Sequence, residues 1–177
     1  MLMLTWLSCA TQTLNHLELT ETSRVAVLGI GNELSGDDGV GIKIAEGLAK
    51  TQKERSTKAT PANRLIISAG LAPENFTGLL RQFHPDLVIF IDAADIGSVP
   101  GEVEWLAWKE IVGMSGSTHS LPLSILAQYL VVEIGCEVYI LGIQAASNGY
   151  GEGFTLPVSH AAQEVVEGLG AILFPRV

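Results

Sequence analysis

The stretch RVAVLGIGNELSGDDGVGIKIAEGL, residues 24–48, decides the fold. It opens on a continuous apolar run, residues 24–30, which is typical of a strand buried on both faces. After a glycine-rich loop, apolar residues recur every four positions at Val40, Ile44 and Leu48, which predicts a helix. A buried strand, a loop and a helix in this order indicate the first unit of a parallel α/β sheet.

Strand and helix patterns alternate along the rest of the chain. Most predicted strands are continuously apolar, so helices must cover both faces of a parallel sheet. Residues 101–108 instead alternate apolar and polar positions, as an edge strand does. Residues 51–63 are polar and are expected to form a surface connection. The remaining strands are predicted at residues 64–68, 86–93 and 136–144, and the remaining helices at residues 72–83, 121–135 and 156–173.

The first 23 residues stand apart from this pattern. Leucines at roughly helical spacing favour a short amphipathic helix, while an unstructured extension or a misplaced start codon fits equally well. A signal peptide would need a basic beginning, which is missing. An uncharged run over residues 111–132 is interrupted by Gly, Pro and His, so we expect no membrane span. We therefore divide the chain into an extension, residues 1–23, and one domain, residues 24–177.

Composition excludes several classes of protein. The 177 residues carry 10 Lys and Arg against 19 Asp and Glu, a net charge of −9. No basic stripe could neutralise phosphates, so nucleic-acid binding is not expected. The two cysteines, Cys9 and Cys136, are too few for a disulfide framework or a cysteine zinc site. The chain is expected to be a cytoplasmic monomer.

The glycine-rich loop does not match the nucleotide-binding patterns. A dinucleotide loop needs a third glycine where Leu34 stands, and a phosphate loop needs Lys and Ser or Thr where Asp37 and Asp38 stand. Two carboxylates would repel an anion at a helix N-terminus. One of them is expected to cap the helix, and the other to face a cation across the strand ends.

Two further residues can complete a site at the carboxyl ends of the strands, where parallel sheets bind ligands. Asp92 follows a buried strand, so its carboxylate either accepts backbone N–H groups or binds a ligand. Asp95, in the next turn, is expected to be structural. His119 lies in a small-residue loop before a helix. Two carboxylates and one imidazole would suit a borderline divalent metal and would leave coordination positions open for substrate ligands.

Five segments occur in an order and spacing that resemble the hydrogenase maturation proteases, which trim the C-terminus of the nickel–iron hydrogenase large subunit. The resemblance covers residues 24–173, and the second, fourth and fifth segments are most similar to the branch serving the formate hydrogenlyase type. The segments are GIGNELSGDDGVG (29–41), APEN (72–75), FIDAADIGSVPGEV (90–103), STHSLPL (117–123) and LGIQ (141–144).

The resemblance implies a three-layer α/β/α sandwich with a twisted, mainly parallel five-stranded sheet. It also implies that Asp38, Asp92 and His119 are the catalytic residues that contact nickel, and that the large-subunit precursor is the partner supplying this nickel. Asp37 is left as a helix cap with a helper role open. The family often has Asp-Gly-Gly-Thr after the second strand, whereas this chain has Ser-Ala-Gly-Leu at residues 68–71.

Two alternatives stay open, and the departure at Ser68 motivates the first of them. The first is a nickel-dependent chaperone or checkpoint of the large subunit that has lost cleavage. The second is a nucleotide-dependent α/β enzyme using the glycine-rich loop, ranked last because Asp37 and Asp38 oppose an anion. Residues 1–23 have no counterpart in the family core.

Overall fold

The computed structural model describes residues 6–55, 63–111 and 122–175. Its centre is a five-stranded sheet in the order β2-β1-β3-β5-β4, in which β4 alone runs antiparallel, against β5. This confirms the predicted mainly parallel sheet and the edge strand. The strands are β1 Val25–Ile30, β2 Arg64–Gly70, β3 Leu87–Ala94, β4 Val103–Ala107 and β5 Glu137–Gln144.

Helices cover both faces of the sheet, which confirms the three-layer α/β/α sandwich. They are α1 Trp6–His16, α2 Val40–Arg55, α3 Thr77–Phe83, α4 Leu123–Ile134 and α5 Leu156–Leu173. Short 3₁₀ turns span Gly36–Gly39, Pro73–Phe76 and Trp108–Ile111. Among the helices that the structure describes, none has the length and apolar character needed to cross a membrane.

Two apolar layers hold the sandwich together, because neighbouring side chains of a strand point to opposite faces. Ile89 of β3 packs in the layer formed with α2 and α5, whereas its neighbour Phe90 packs in the layer formed with α3 and α4. Both side chains are fully buried. Burial of one such side chain contributes about 1.5–3 kcal/mol, so the continuous apolar run of β3 stabilises both layers.

Two local predictions need correction. Residues 51–55, expected in a surface connection, form the last turns of α2, because Arg55 donates hydrogen bonds to the carbonyl oxygens of Gly170 and Phe174. The predicted helix after the second strand begins as a 3₁₀ turn, Pro73–Phe76, before α3.

The described part of the N-terminal segment forms a helix that packs against the sheet domain. Ala10 is fully buried, and Trp105 of β4 donates a 3.0 Å hydrogen bond to Thr13 Oγ1. Trp6 lies so close to α5 that a Cβ on Gly168 would be 2.9 Å from its ring. Of the two alternatives for this segment, the helix is therefore observed over Trp6–His16.

Candidate active site at the carboxyl ends of the strands

Two glycines bring the start of α2 directly onto the strand ends. A Cβ on Gly29 would lie 2.1 Å from the carbonyl oxygen of Gly41, and a Cβ on Gly41 would lie 2.2 Å from that of Ile91. Side chains at these positions would push the helix away from β1 and β3. The close approach places the glycine loop, residues 31–39, beside the carboxyl end of β3.

Asp38 lies in this loop with little hydrogen bonding to its carboxylate. Its Oδ2 accepts a 3.0 Å hydrogen bond from the Asn32 N–H. Burial raises the pKa of Asp38, and the Asn32 hydrogen bond opposes that rise only in part. The carboxylate is therefore held in a poorly solvated position, and no Lys, Arg or His of the part of the chain that the structure describes forms an ion pair with it.

Asp92 occupies the end of β3, paired with Gly142 of β5. Burial, and secondly the negative charge of Asp38, raise the pKa of Asp92 to about 7, while the Ala93 N–H opposes the rise. Part of the residue's surface still reaches solvent. Asp92 therefore exchanges its proton around neutral pH, and a cation that contacts both carboxylates would displace that proton.

Asp37, directly before Asp38, has a different environment. It is fully buried, and its carboxylate accepts hydrogen bonds from the N–H groups of Ala146 (2.9 Å), Ser147 (3.0 Å) and Thr155 (2.8 Å) and from the Thr155 hydroxyl. Burial would raise the pKa of Asp37, but these hydrogen bonds outweigh it and lower the pKa.

The prediction that Asp37 caps the helix after its own loop is wrong, because its carboxylate accepts hydrogen bonds from Ala146, Ser147 and Thr155 and not from the first N–H groups of α2. Asp37 instead joins the glycine loop to residues 145–155, the loop that follows β5. Since its partners are 109 to 118 residues away in sequence, no local pattern could have identified this role. We call this set of hydrogen bonds the Asp37 clasp.

Gln144, at the end of β5, is a second residue whose role sequence reasoning missed. Its Oε1 accepts hydrogen bonds from the N–H groups of Ile96 (2.9 Å) and Ser98 (3.2 Å), and its Nε2 donates to Asp95 Oδ1. Gln144 thereby holds the turn that follows Asp92. The expected structural role of Asp95 agrees with these contacts. The segment LGIQ contains Gln144, but the sequence identifies it only as part of the resemblance.

The third predicted nickel contact, His119, lies outside the described residues. Within residues 6–55, 63–111 and 122–175, no three His, Cys, Asp or Glu side chains form a group that could hold a metal ion. Asp38 lies close enough to Asp92 for its negative charge to raise the Asp92 pKa, so the structure brings these two acids together. His119 stays a prediction. Ser68, which stands where the family often has Asp, is exposed on β2 and pairs with Gly29, so β1 separates it from Asp92.

Comparison with known proteins shows which family the chain resembles. A family model described as hydrogenase maturation protease (HycI) matches residues 42–174. The hydrogenase 3 maturation protease of Escherichia coli K12 is 35% identical over 144 residues, which cover 81% of this chain and 86% of that protein.

Solved structures agree with the sequence matches. The crystal structure of a nickel–iron hydrogenase maturation protease from Thermococcus kodakarensis matches with a TM-score of 0.75 and 34% identity, over 85% of this chain and 92% of that one. The solution structure of an Escherichia coli endopeptidase matches with a TM-score of 0.68 and 34% identity, over 81% and 87%.

Proposed function

The chain belongs to the hydrogenase maturation protease family, and from its paired carboxylates we propose that it removes a C-terminal peptide from the nickel-loaded precursor of a nickel–iron hydrogenase large subunit. The observation that carries this proposal is the coupling of Asp38 to Asp92, which helps to raise the pKa of Asp92 to about 7. Two poorly solvated acids whose negative charges oppose each other form a site for a cation.

We assign that cation to the substrate. Carboxylate and imidazole ligands suit a borderline divalent ion such as nickel, and Asp38, Asp92 and His119 would contact an ion that the precursor already holds through its own thiolates. The cysteines of this chain do not supply those thiolates, since Cys136 lies at the opposite, amino end of β5 and Cys9 lies in α1. Nickel in this proposal is part of the substrate and serves for recognition.

Asp92 is suited to the proton transfers of peptide hydrolysis. Water adds to the scissile carbonyl carbon, the C–N bond breaks, and the leaving amine takes up a proton. The pKa of Asp92 is about 7 in the free chain, and contact with the precursor's nickel would displace its proton. Asp92 would then act as the general base that takes a proton from the attacking water. Asp38 would remain the anionic partner. The pair therefore supports an aspartic type of hydrolysis, in which nickel aligns the precursor and positions the bond.

We expect this reaction to take place in the cytoplasm, on a monomer of the chain. Both cysteines are free thiols in the described residues, which suits a reducing compartment. The non-cleaving checkpoint is kept as an outcome of the test, since Ser68 replaces the Asp often found in the family. Family membership and the acid pair both oppose a nucleotide-dependent enzyme.

The test is to incubate the chain with nickel-loaded and with nickel-free precursor. Mass spectrometry then measures whether the precursor has lost a C-terminal peptide. We expect shortening of the loaded form only. His119→Ala should abolish shortening, while His160→Ala, on the exposed face of α5, should leave it intact. Cleavage by the His119 variant at the wild-type rate contradicts the assignment, and binding of loaded precursor without any shortening identifies a checkpoint.

A further inference from the structure

Exposed apolar side chains are concentrated at the end of the molecule that carries the acid pair. Among the described residues, nine large apolar side chains are exposed, and three of them lie on the outer helices α3 and α4. Single exposed apolar residues are ordinary, whereas a group at one place indicates an interaction surface. The other six follow the carboxyl ends of strands: Leu34, Leu71, Val99, Tyr150, Phe154 and Leu156.

Three of these six belong to the two loops that Asp37 joins, and a fourth, Leu156, is the first residue of α5. The Gly151 N–H donates a 2.8 Å hydrogen bond to the Leu34 carbonyl, and Ser35 forms an antiparallel bridge with Tyr150. The side chains of Leu34 and Tyr150, 58% and 80% exposed, are therefore carried on backbone segments that are paired with each other.

The other two side chains flank an anchor of the Asp37 clasp. Phe154 and Leu156 stand on either side of Thr155, whose N–H and hydroxyl both donate to Asp37. We call Leu34, Tyr150, Phe154 and Leu156 the apolar ledge. Because the clasp fixes the backbone beneath it, the ledge is ordered before anything binds, which lowers the entropic cost of binding.

The charge around the ledge restricts what can bind there. Residues 31–42, 92–102 and 144–156 contain no Lys or Arg. A segment rich in Asp or Glu would be repelled, and a segment with apolar side chains would fit. The same three stretches hold seven acids, namely Glu33, Asp37, Asp38, Asp92, Asp95, Glu102 and Glu152.

We propose that the apolar ledge binds apolar side chains of the precursor's C-terminal segment beside the scissile bond. This inference rests on the proposed function, in which Asp38 contacts the precursor's nickel. Leu34 is only four residues from Asp38, and an extended chain advances about 3.3 Å per residue. A segment that leads away from the nickel therefore reaches the ledge within a few residues. The ledge thereby selects among precursors by the side chains next to the cleavage point.

The test measures cleavage of nickel-loaded precursor by the double variant Leu34→Ser, Tyr150→Ser. Both residues contribute to the loop pairing through backbone atoms, so the clasp is retained. We expect KM to rise about 10-fold, as loss of apolar contacts at a specificity surface produces, with kcat within about 2-fold of wild type. The matched control is Ile125→Ser, Val132→Ser on α4, which removes two exposed apolar side chains and should leave KM unchanged.

A second arm changes the precursor. Serine in place of apolar residues next to the scissile bond should raise KM for the wild-type chain and should have much less effect on the ledge variant, because the two changes remove the same contact. Dissociation constants for the uncleaved precursor, measured by fluorescence anisotropy, should follow the same pattern.

The outcomes separate this inference from the proposed function. If the wild-type chain binds loaded precursor but does not cleave it, the protease assignment fails. The dissociation constants then still decide whether the ledge binds the precursor. Equal KM and equal dissociation constants for wild type and the ledge variant overturn the inference. It is also overturned if the ledge variant changes only the sedimentation of the free chain, since the surface would then join two copies.

Discussion

Asp37 and Asp38 are neighbours in sequence, yet they belong to regions with opposite physical character. The Asp37 clasp surrounds a buried carboxylate with N–H and hydroxyl donors, so that its pKa is lowered. The pair Asp38 and Asp92 receives few donors, so that burial raises both pKa values. The clasp stabilises the folded chain, whereas the two acids of the pair repel each other until a cation binds between them. Four predictions test this difference.

The largest effect is expected on activity. Asp38→Asn and Asp92→Asn should each lower kcat/KM for nickel-loaded precursor about 1,000-fold, because each removes a charge that contacts the reacting region. The measurement is single-turnover cleavage followed by mass spectrometry. Glu164→Gln, on the exposed face of α5, is the matched loss of one acid and should keep wild-type activity. Cleavage by Asp38→Asn within 10-fold of wild type would remove Asp38 from the reaction.

The second effect concerns the clasp. Asp37→Asn should lower the free energy of unfolding by about 2–3 kcal/mol, because buried N–H groups lose a charged acceptor. Urea unfolding at pH 7 measures this change. Glu46→Gln is the control, since Glu46 is an exposed acid on α2. Equal stability of the Asp37 variant and wild type would contradict the importance of the clasp.

The third effect is a gain in the free energy of unfolding, whereas the Asp37 variant loses stability. The folded state binds its proton at Asp92 more tightly than the unfolded chain does, so stability falls as pH rises between 3.8 and about 7. Asp92→Asn removes this loss. One pKa unit corresponds to about 1.4 kcal/mol, and after allowance for the solvent-exposed part of the residue we expect a gain of about 2 kcal/mol at pH 8 and little change at pH 4. Urea unfolding at both pH values measures it, and a variant less stable than wild type at pH 8 would refute the prediction.

The smallest effect is the acid response of the clasp. The pKa of Asp37 is lower in the folded protein than its ordinary value of 3.8, so its contribution is fully present above that value and is lost as pH falls through the folded pKa. The melting temperature of wild type should therefore decrease more steeply than that of Asp37→Asn below about pH 4. If the melting temperatures of wild type and Asp37→Asn decrease in parallel as the pH falls, the ionised form of Asp37 contributes nothing to stability.

Much of the fold followed from patterns of neighbouring residues. The apolar runs at residues 24–30 and 86–93 predicted the buried strands β1 and β3, and the spacing of Val40, Ile44 and Leu48 predicted α2. The end of α2 was misjudged because residues 51–55 are polar, and their helix depends on contacts of Arg55 with the end of α5. The resemblance selected Asp38 and Asp92, and these residues are coupled in the structure.

The roles of Asp37 and Gln144 could not be read from the sequence. Each residue accepts hydrogen bonds from segments at least 46 positions away, and spacing along the chain contains no record of such contacts. His119 lies in a stretch outside the described residues, so its place beside the acid pair stays a prediction for the nickel-loaded precursor assay to test.

The sequence by itself determined the strands, the helices and the layered sheet, because the apolar period that selects them is a property of neighbouring residues. It also placed two adjacent acids in a glycine loop at the carboxyl ends of the strands. Only the tertiary structure decided which acid is structural, because the donors that satisfy Asp37 arrive on the loop after β5. The same folding leaves Asp38 beside Asp92, where burial and like charge keep the pair ready for a cation.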